Sequence, residues 1–118
     1  NWRLGELATA QSYGDPARRQ FWLLTAMRDY RRALAISPLS VKYLLAAGVQ
    51  ALALRDLAEA DTFFHRAVDL DPANADAYAG LGLGAVLRHD RAGAQRYAQK
   101  SRSIDPRAHM LRTLDAAL

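Results

Sequence analysis

Residues 41–74 read VKYLLAAGVQALALRDLAEADTFFHRAVDLDPAN, and residues 75–108 follow as ADAYAGLGLGAVLRHDRAGAQRYAQKSRSIDPRA. Set against each other at a step of 34, Gly48 meets Gly82, Ala51 meets Ala85, Ala60 meets Ala94 and Pro72 meets Pro106. The same step reaches back to Gly14, Ala17, Ala26 and Pro38. Tyr30 and Phe64 are succeeded in this register by Ala98, and Ala33 and Ala67 by Ser101. Self-similarity at a fixed period of this size is the mark of a repeat architecture, in which each unit stacks on the next.

Within each unit the hydrophobic pattern divides in two. Between Tyr43 and Leu54 the only polar side chain is Gln50, and from Ala77 to Leu87 there is no charge and only Tyr78 is polar. A helix that is apolar all round must be buried or must face something apolar. Residues 57–70 instead place Leu57, Ala60, Phe64, Ala67 and Val68 on one face and Glu59, Asp61, Arg66 and Asp69 elsewhere, and residues 91–104 carry four bases among small apolar residues. The first helix of each pair is therefore expected in an inner layer and the second in an outer one. Asp56 and Asp90 stand where they would cap the second helices. Asp71 and Asp105 precede prolines, which end the helices before them.

The first unit is irregular. Gly14-Asp15-Pro16 combines a stop, a cap and a helix-starting proline, which predicts a first helix near residues 2–13 and a long second helix near 16–36. After Pro106, Leu111, Leu114 and Leu118 recur at helical spacing and predict a terminal helix over the exposed edge of the stack.

With this period and pattern the chain resembles the tetratricopeptide repeat family. Residues 41–74 carry the resemblance through Leu44, Ala47, Gly48, Ala51, Ala60, Phe64, Ala67 and Pro72, and residues 75–108 through Tyr78, Leu81, Gly82, Ala85, Ala94 and Pro106. The second unit departs at Ala98 and Ser101, which bears against tight packing of its second helix. Residues 7–40 match in part, through Gly14, Ala26, Tyr30, Ala33 and Pro38. The resemblance implies an all-α fold: one domain over residues 1–118, an α-solenoid of antiparallel helix pairs wound into a superhelix. It comprises a degenerate repeat (7–40), two regular repeats (41–74 and 75–108) and a capping helix (109–118), about seven helices in all.

Composition agrees with helix and excludes some chemistry. Alanine is abundant and β-branched residues are few, which favours helix. There is no cysteine among the 118 residues, so neither a disulfide nor a thiolate metal site can form. That absence fits a reducing cytosol and an oxidising periplasm alike. No apolar run approaches the roughly 20 residues of a membrane-spanning helix. With Asn1 in place of Met, the expectation is of a chain processed or cut from something larger. The net charge of +4 is unevenly spread: 1–40 carries six bases against three acids, 41–74 three against five, and 75–118 seven against four. Two basic ends around an acidic middle are unlike the continuous basic stripe of a nucleic-acid binder. Arginine dominance, with 14 of the 16 bases, and the alanine content point to a bacterial source.

No catalytic constellation emerges, and the reading is of a protein that is not an enzyme and needs neither metal nor other cofactor. His65, His89 and His109 lie too far apart to pair on one helical turn. Gly80-Leu81-Gly82-Leu83-Gly84-Ala85 formally fits a dinucleotide-binding fingerprint, but that motif requires a strand before it, and here it falls inside a repeat helix. Arg18, Arg19, Arg28, Arg31 and Arg32 form the densest basic region, which reads as a solvated outer face or as a surface for an acidic or phosphate-bearing partner.

The resemblance implies that the concave face, lined by first helices, binds a peptide. Carried over residue by residue, it assigns Lys42, Leu45, Val49 and Leu52 from one repeat and Asp76, Ala79, Leu83 and Val86 from the next. The groove so lined is mostly apolar and suits an apolar or amphipathic segment of a protein partner. Relatives that clamp a terminal carboxylate use cationic side chains, whereas the matching positions here are Gln11, Asp15, Ala46, Asp76 and Gly80, none of them cationic. Self-association through the same surface, and a docking or regulatory role in a larger enzyme or a membrane or secretion assembly, are the alternatives.

Overall fold

The computed structural model describes residues 15–118. It is all helical, with no strand among the described residues. Six helices follow one another: α1 (Pro16–Ile36), α2 (Val41–Ala53), α3 (Leu57–Leu70), α4 (Ala75–Leu87), α5 (Arg91–Ile104) and α6 (His109–Ala117). The expected helix near residues 2–13 lies outside the described residues, as do Trp2, Gln11 and Gly14.

Local chemistry explains each start and stop. Asp15 accepts from the Arg18 N–H at 3.2 Å, and Pro16 opens α1. Ser40, Asp56, Asn74 and Asp90 cap α2, α3, α4 and α5 through side-chain oxygens that accept from the N–H three residues on. Each such cap satisfies one of the free donors of a helix N-terminus, and its loss typically costs about 1 kcal/mol. The turns after α2 and α4 are built alike. Arg55 and His89 both take φ 62°, in the left-handed region. Asp56 N–H then donates to Ala51 O, and Asp90 N–H to Ala85 O, each at 2.9 Å. This is the helix-ending pattern in which a left-handed residue lets the chain turn back over its last carbonyls. The three proline turns also match: Ser40, Asn74 and Ala108 each donate a backbone N–H at 3.1 Å to the residue three before.

Successive helices pack on one another, and α4 touches α2, α3, α5 and α6. This central place is why α4 has no polar face: eight of its 13 residues are buried. The outer helices α3 and α5 bury four residues each and turn their charges outward.

The core is keyed by one aromatic side chain. Phe64 of α3 is fully buried and lies over Gly48 of α2 and Gly80 of α4. A Cβ at Gly48 would stand 2.6 Å from the ring, and one at Gly80 would come closer still. One step of 34 onward, the corresponding trio is Gly82, Ala98 and Leu114. There the large residue has changed helix: Leu114 of α6 presses on Gly82, and Ala98 of α5 is the small one. The volume lost from Phe to Ala on α5 returns as Gly to Leu on α6, as a close-packed interior requires.

This exchange overturns the expectation that Ala98 and Ser101 loosen α5. Ala98 is 2% exposed and Ser101 is fully buried. The Ser101 hydroxyl donates to the Ala75 carbonyl at 2.8 Å, so its burial leaves no unmet donor and ties α5 to the start of α4. The three glycines of the apparent dinucleotide fingerprint are likewise contact points within α4: Gly80 under Phe64, Gly82 under Leu114, and Gly84 beside Asp61. Asp61 in turn pairs with Arg88 at 2.7 Å.

Gly→Ala inside a helix ordinarily stabilises by about 1 kcal/mol. Gly48→Ala is expected to do the opposite, because overpacking against Phe64 costs about 1–3 kcal/mol. Urea unfolding followed by circular dichroism checks this as a lowered midpoint.

Candidate functional site

Between α1, α2, the start of α4 and the first turn of α6 lies an open cleft of ≈ 600 Å³. Its α2 wall carries Val41, Lys42, Leu45, Ala46, Val49 and Gln50. These fall at steps of three and four, so they share one side of the helix, while Leu44, Ala47, Gly48 and Ala51 turn into the core. Tyr30 closes the cleft from α1, and Asn74, Asp76, His109 and Met110 close it from the opposite end.

Two of these residues belong to the keying pattern. Tyr30 stands one step of 34 before Phe64, and Ala46 one step before Gly80. The slot that Phe64 fills in the middle of the molecule is, one unit earlier, part of the cleft wall. Burial pushes the Tyr30 phenol up from its ordinary value, and the neighbouring Asp29 carboxylate adds to the rise. The hydroxyl is therefore a neutral hydrogen-bonding group through the physiological range. Gln50 fixes the α1–α2 junction by donating Nε2–H to the Leu23 carbonyl at 3.0 Å.

The far end is held by a cap that α6 cannot make for itself. Ser40 and Asn74 occupy the capping position of α2 and α4, but the same position before α6 is Ala108, which has no side-chain acceptor. Asp76 of α4 supplies it, accepting from the Met110 N–H at 3.0 Å. An aspartate at a helix N-terminus also meets the positive end of the helix dipole.

The structure brings together half of the residues assigned from sequence. Lys42, Leu45, Val49 and Asp76 all line the cleft, with Lys42 exposed, Val49 44% exposed and Leu45 half-buried. Leu52 and Ala79 do not: Leu52 is 7% exposed and Ala79 fully buried. Leu83 and Val86 are half-buried against the cluster around Leu111 and Leu114. Leu52 is buried in the core cluster with Phe64, near Gly84 of α4, whereas α6 lies on α4 and takes the face on which Ala79, Leu83 and Val86 stand. Among the described residues the cleft wall is thus supplied mainly by α2.

Tyr30, Ala46, Gln50, Asn74, His109 and Met110 were not assigned from the sequence. Tyr30, which the step of 34 pairs with Phe64, is half-buried, and His109 is exposed. A usable signal was the missing cap at Ala108, which demands a donor-accepting group from elsewhere and so brings α6 to Asp76. Of the described positions matching a carboxylate clamp, Ala46 and Asp76 line the cleft, Asp15 caps α1 and Gly80 lies beneath Phe64; Gln11 lies outside the described residues. Among the described residues no group of three or more His, Asp or Glu is arranged to hold a metal ion.

No protein-family model matches this chain, and no curated protein matches it either.

Asp76→Ala is expected to remove the borrowed cap and destabilise by about 0.5–2 kcal/mol. Hydrogen exchange locates the effect: amides of residues 109–117 lose protection first, while those of α3 keep it.

Proposed function

We propose that this chain is a tetratricopeptide-type module, a solenoid of antiparallel helix pairs that holds a peptide of a partner protein and does not itself catalyse a reaction. The observation that carries the reading is the cleft beside α2. Leu45 and Val49 stand partly open at its centre, and Lys42, Gln50, Asn74 and Asp76 stand around them. An apolar floor with a few polar groups at the edge is what a segment with alternating apolar anchors requires. The repeated turns, the step of 34 in their hydrogen bonds and the Phe64 wedge support the repeat reading. The guest is an apolar or amphipathic segment, because among the described residues the wall offers one cation, Lys42, and one carboxylate that is already committed to α6.

Peptides selected from a random display library on the intact chain provide the test. Val49→Glu puts a charge at the exposed centre of the cleft without disturbing the core, and is expected to weaken the selected peptides by at least about tenfold, some 1.4 kcal/mol. Thr62→Glu, on the exposed side of α3, is expected to leave them unchanged. Equal binding by wild type and Val49→Glu refutes the cleft as the site.

A further inference from the structure

Among the described residues, the outward side of α1 carries groups that neither the core nor the cleft uses. The core side of this helix is Leu23, Met27 and Leu34. Positions 21, 24, 28 and 32 recur at steps of three and four, so Phe21, Leu24, Arg28 and Arg32 share another side. All four are exposed, Phe21 by 61% and Leu24 by 54%. At the end of the helix Ile36 is 84% exposed, and in the following turn Leu39 is 73% exposed. Arg31 is taken up by Glu59 in an ion pair at 2.6 Å, but Arg28 and Arg32 make none among the described residues. The one acid within α1, Asp29, is also exposed and stands three residues before Arg32, at the margin of this side, where its charge also acts on the Tyr30 phenol.

We infer that this side of α1 rests on an anionic lipid surface, with Phe21, Leu24, Ile36 and Leu39 entering the boundary between headgroups and acyl chains and with Arg28 and Arg32 on the phosphates. Three features favour a lipid layer over an acidic polypeptide. On the helix the apolar side chains stand at the two ends of a row about 22 Å long, Phe21 and Leu24 at one and Ile36 at the other, which suits a flat, extended surface. Arg28 and Arg32 stand at the middle of the row, where a helix–helix seam requires apolar residues; a headgroup layer accepts charge and apolar groups at one level. Arginine also meets phosphate with two parallel hydrogen bonds. The mode is peripheral, since no described helix is long and apolar enough to cross a membrane. Tyr30, in the cleft, is on a different side of α1, so a peptide and a lipid surface could be held together.

Cosedimentation of the full chain with vesicles tests this. Phosphatidylcholine alone is compared with phosphatidylcholine containing about 30 mol% phosphatidylglycerol. Binding is expected to the anionic vesicles only, and is expected to fall steeply at about 0.5 M salt. The pair Arg28→Glu with Arg32→Glu, and separately the pair Phe21→Ser with Leu24→Ser, should each weaken it by roughly tenfold or more. Circular dichroism and melting show that both variants still fold. In a Trp2→Phe background, Trp22, whose ring lies 5.3 Å from that of Phe21, should shift its emission to the blue on binding. Equal partition into neutral and anionic vesicles overturns the inference, as does wild-type binding by either pair. Failure to sediment with anionic vesicles also overturns it; if polyglutamate then binds and the arginine pair abolishes that, the face belongs to an acidic polypeptide instead.

Discussion

Phe64 reaches from α3 and rests on Gly48 and Gly80, and this contact sets how closely α2 and α4 can lie. Neither glycine could carry a Cβ without the ring moving. α4 contains three glycines, which weaken a helix by roughly 1 kcal/mol each relative to alanine, so its stability must come from its neighbours. It has four, and the wedge is what brings two of them to it. The next unit solves the same geometric problem with Leu114 entering from the other side over Gly82. The sum of volumes is held while the helix that provides the large side chain changes. That change gives α6 its anchor on α4, and the carboxylate of Asp76 gives it a start.

The consequences run outward to the surface. Because α6 lies on α4, the apolar face of that helix is spent on the core, while α2 keeps Leu45 and Val49 open to the cleft. Tyr30 and Ala46 occupy the first unit's version of the wedge, and among the described residues both stand in the cleft wall. One repeated contact, filled differently in each unit, thus separates a closed core from an open groove. On its far side α1 presents bases and apolar groups that the packing leaves outward.

Much of this was readable from the residues. Helix bounds from Pro16 to Ile104 follow from caps, prolines and the step of 34, because these are local and each is set by one or two side chains. The buried first helices were readable because a run such as 77–87, with a single polar side chain, has no other place to go. The candidate site was readable only by half. Sequence spacing places Lys42, Leu45 and Val49 on one side of α2, but it does not say which helix covers the equivalent side of α4. That depends on where α6 lies, and its position is a tertiary fact encoded in a pair, Gly82 with Leu114, 32 residues apart. Ala98 and Ser101 misled for the same reason: each is small at a position where size was expected, and the compensating residue sits on another helix.

The central claim is that Phe64 and Gly80 are coupled through contact, and a double-mutant cycle in urea measures that coupling. Phe64→Leu, Gly80→Ala and the double variant are compared with the wild type. The account requires the double variant to be more stable than the sum of the two single losses, by about 1 kcal/mol or more, because leucine withdraws the ring atoms that the new methyl group would strike. Losses that simply add would mean that the ring and the glycine do not set each other's position, and the wedge would not be what spaces α2 from α4.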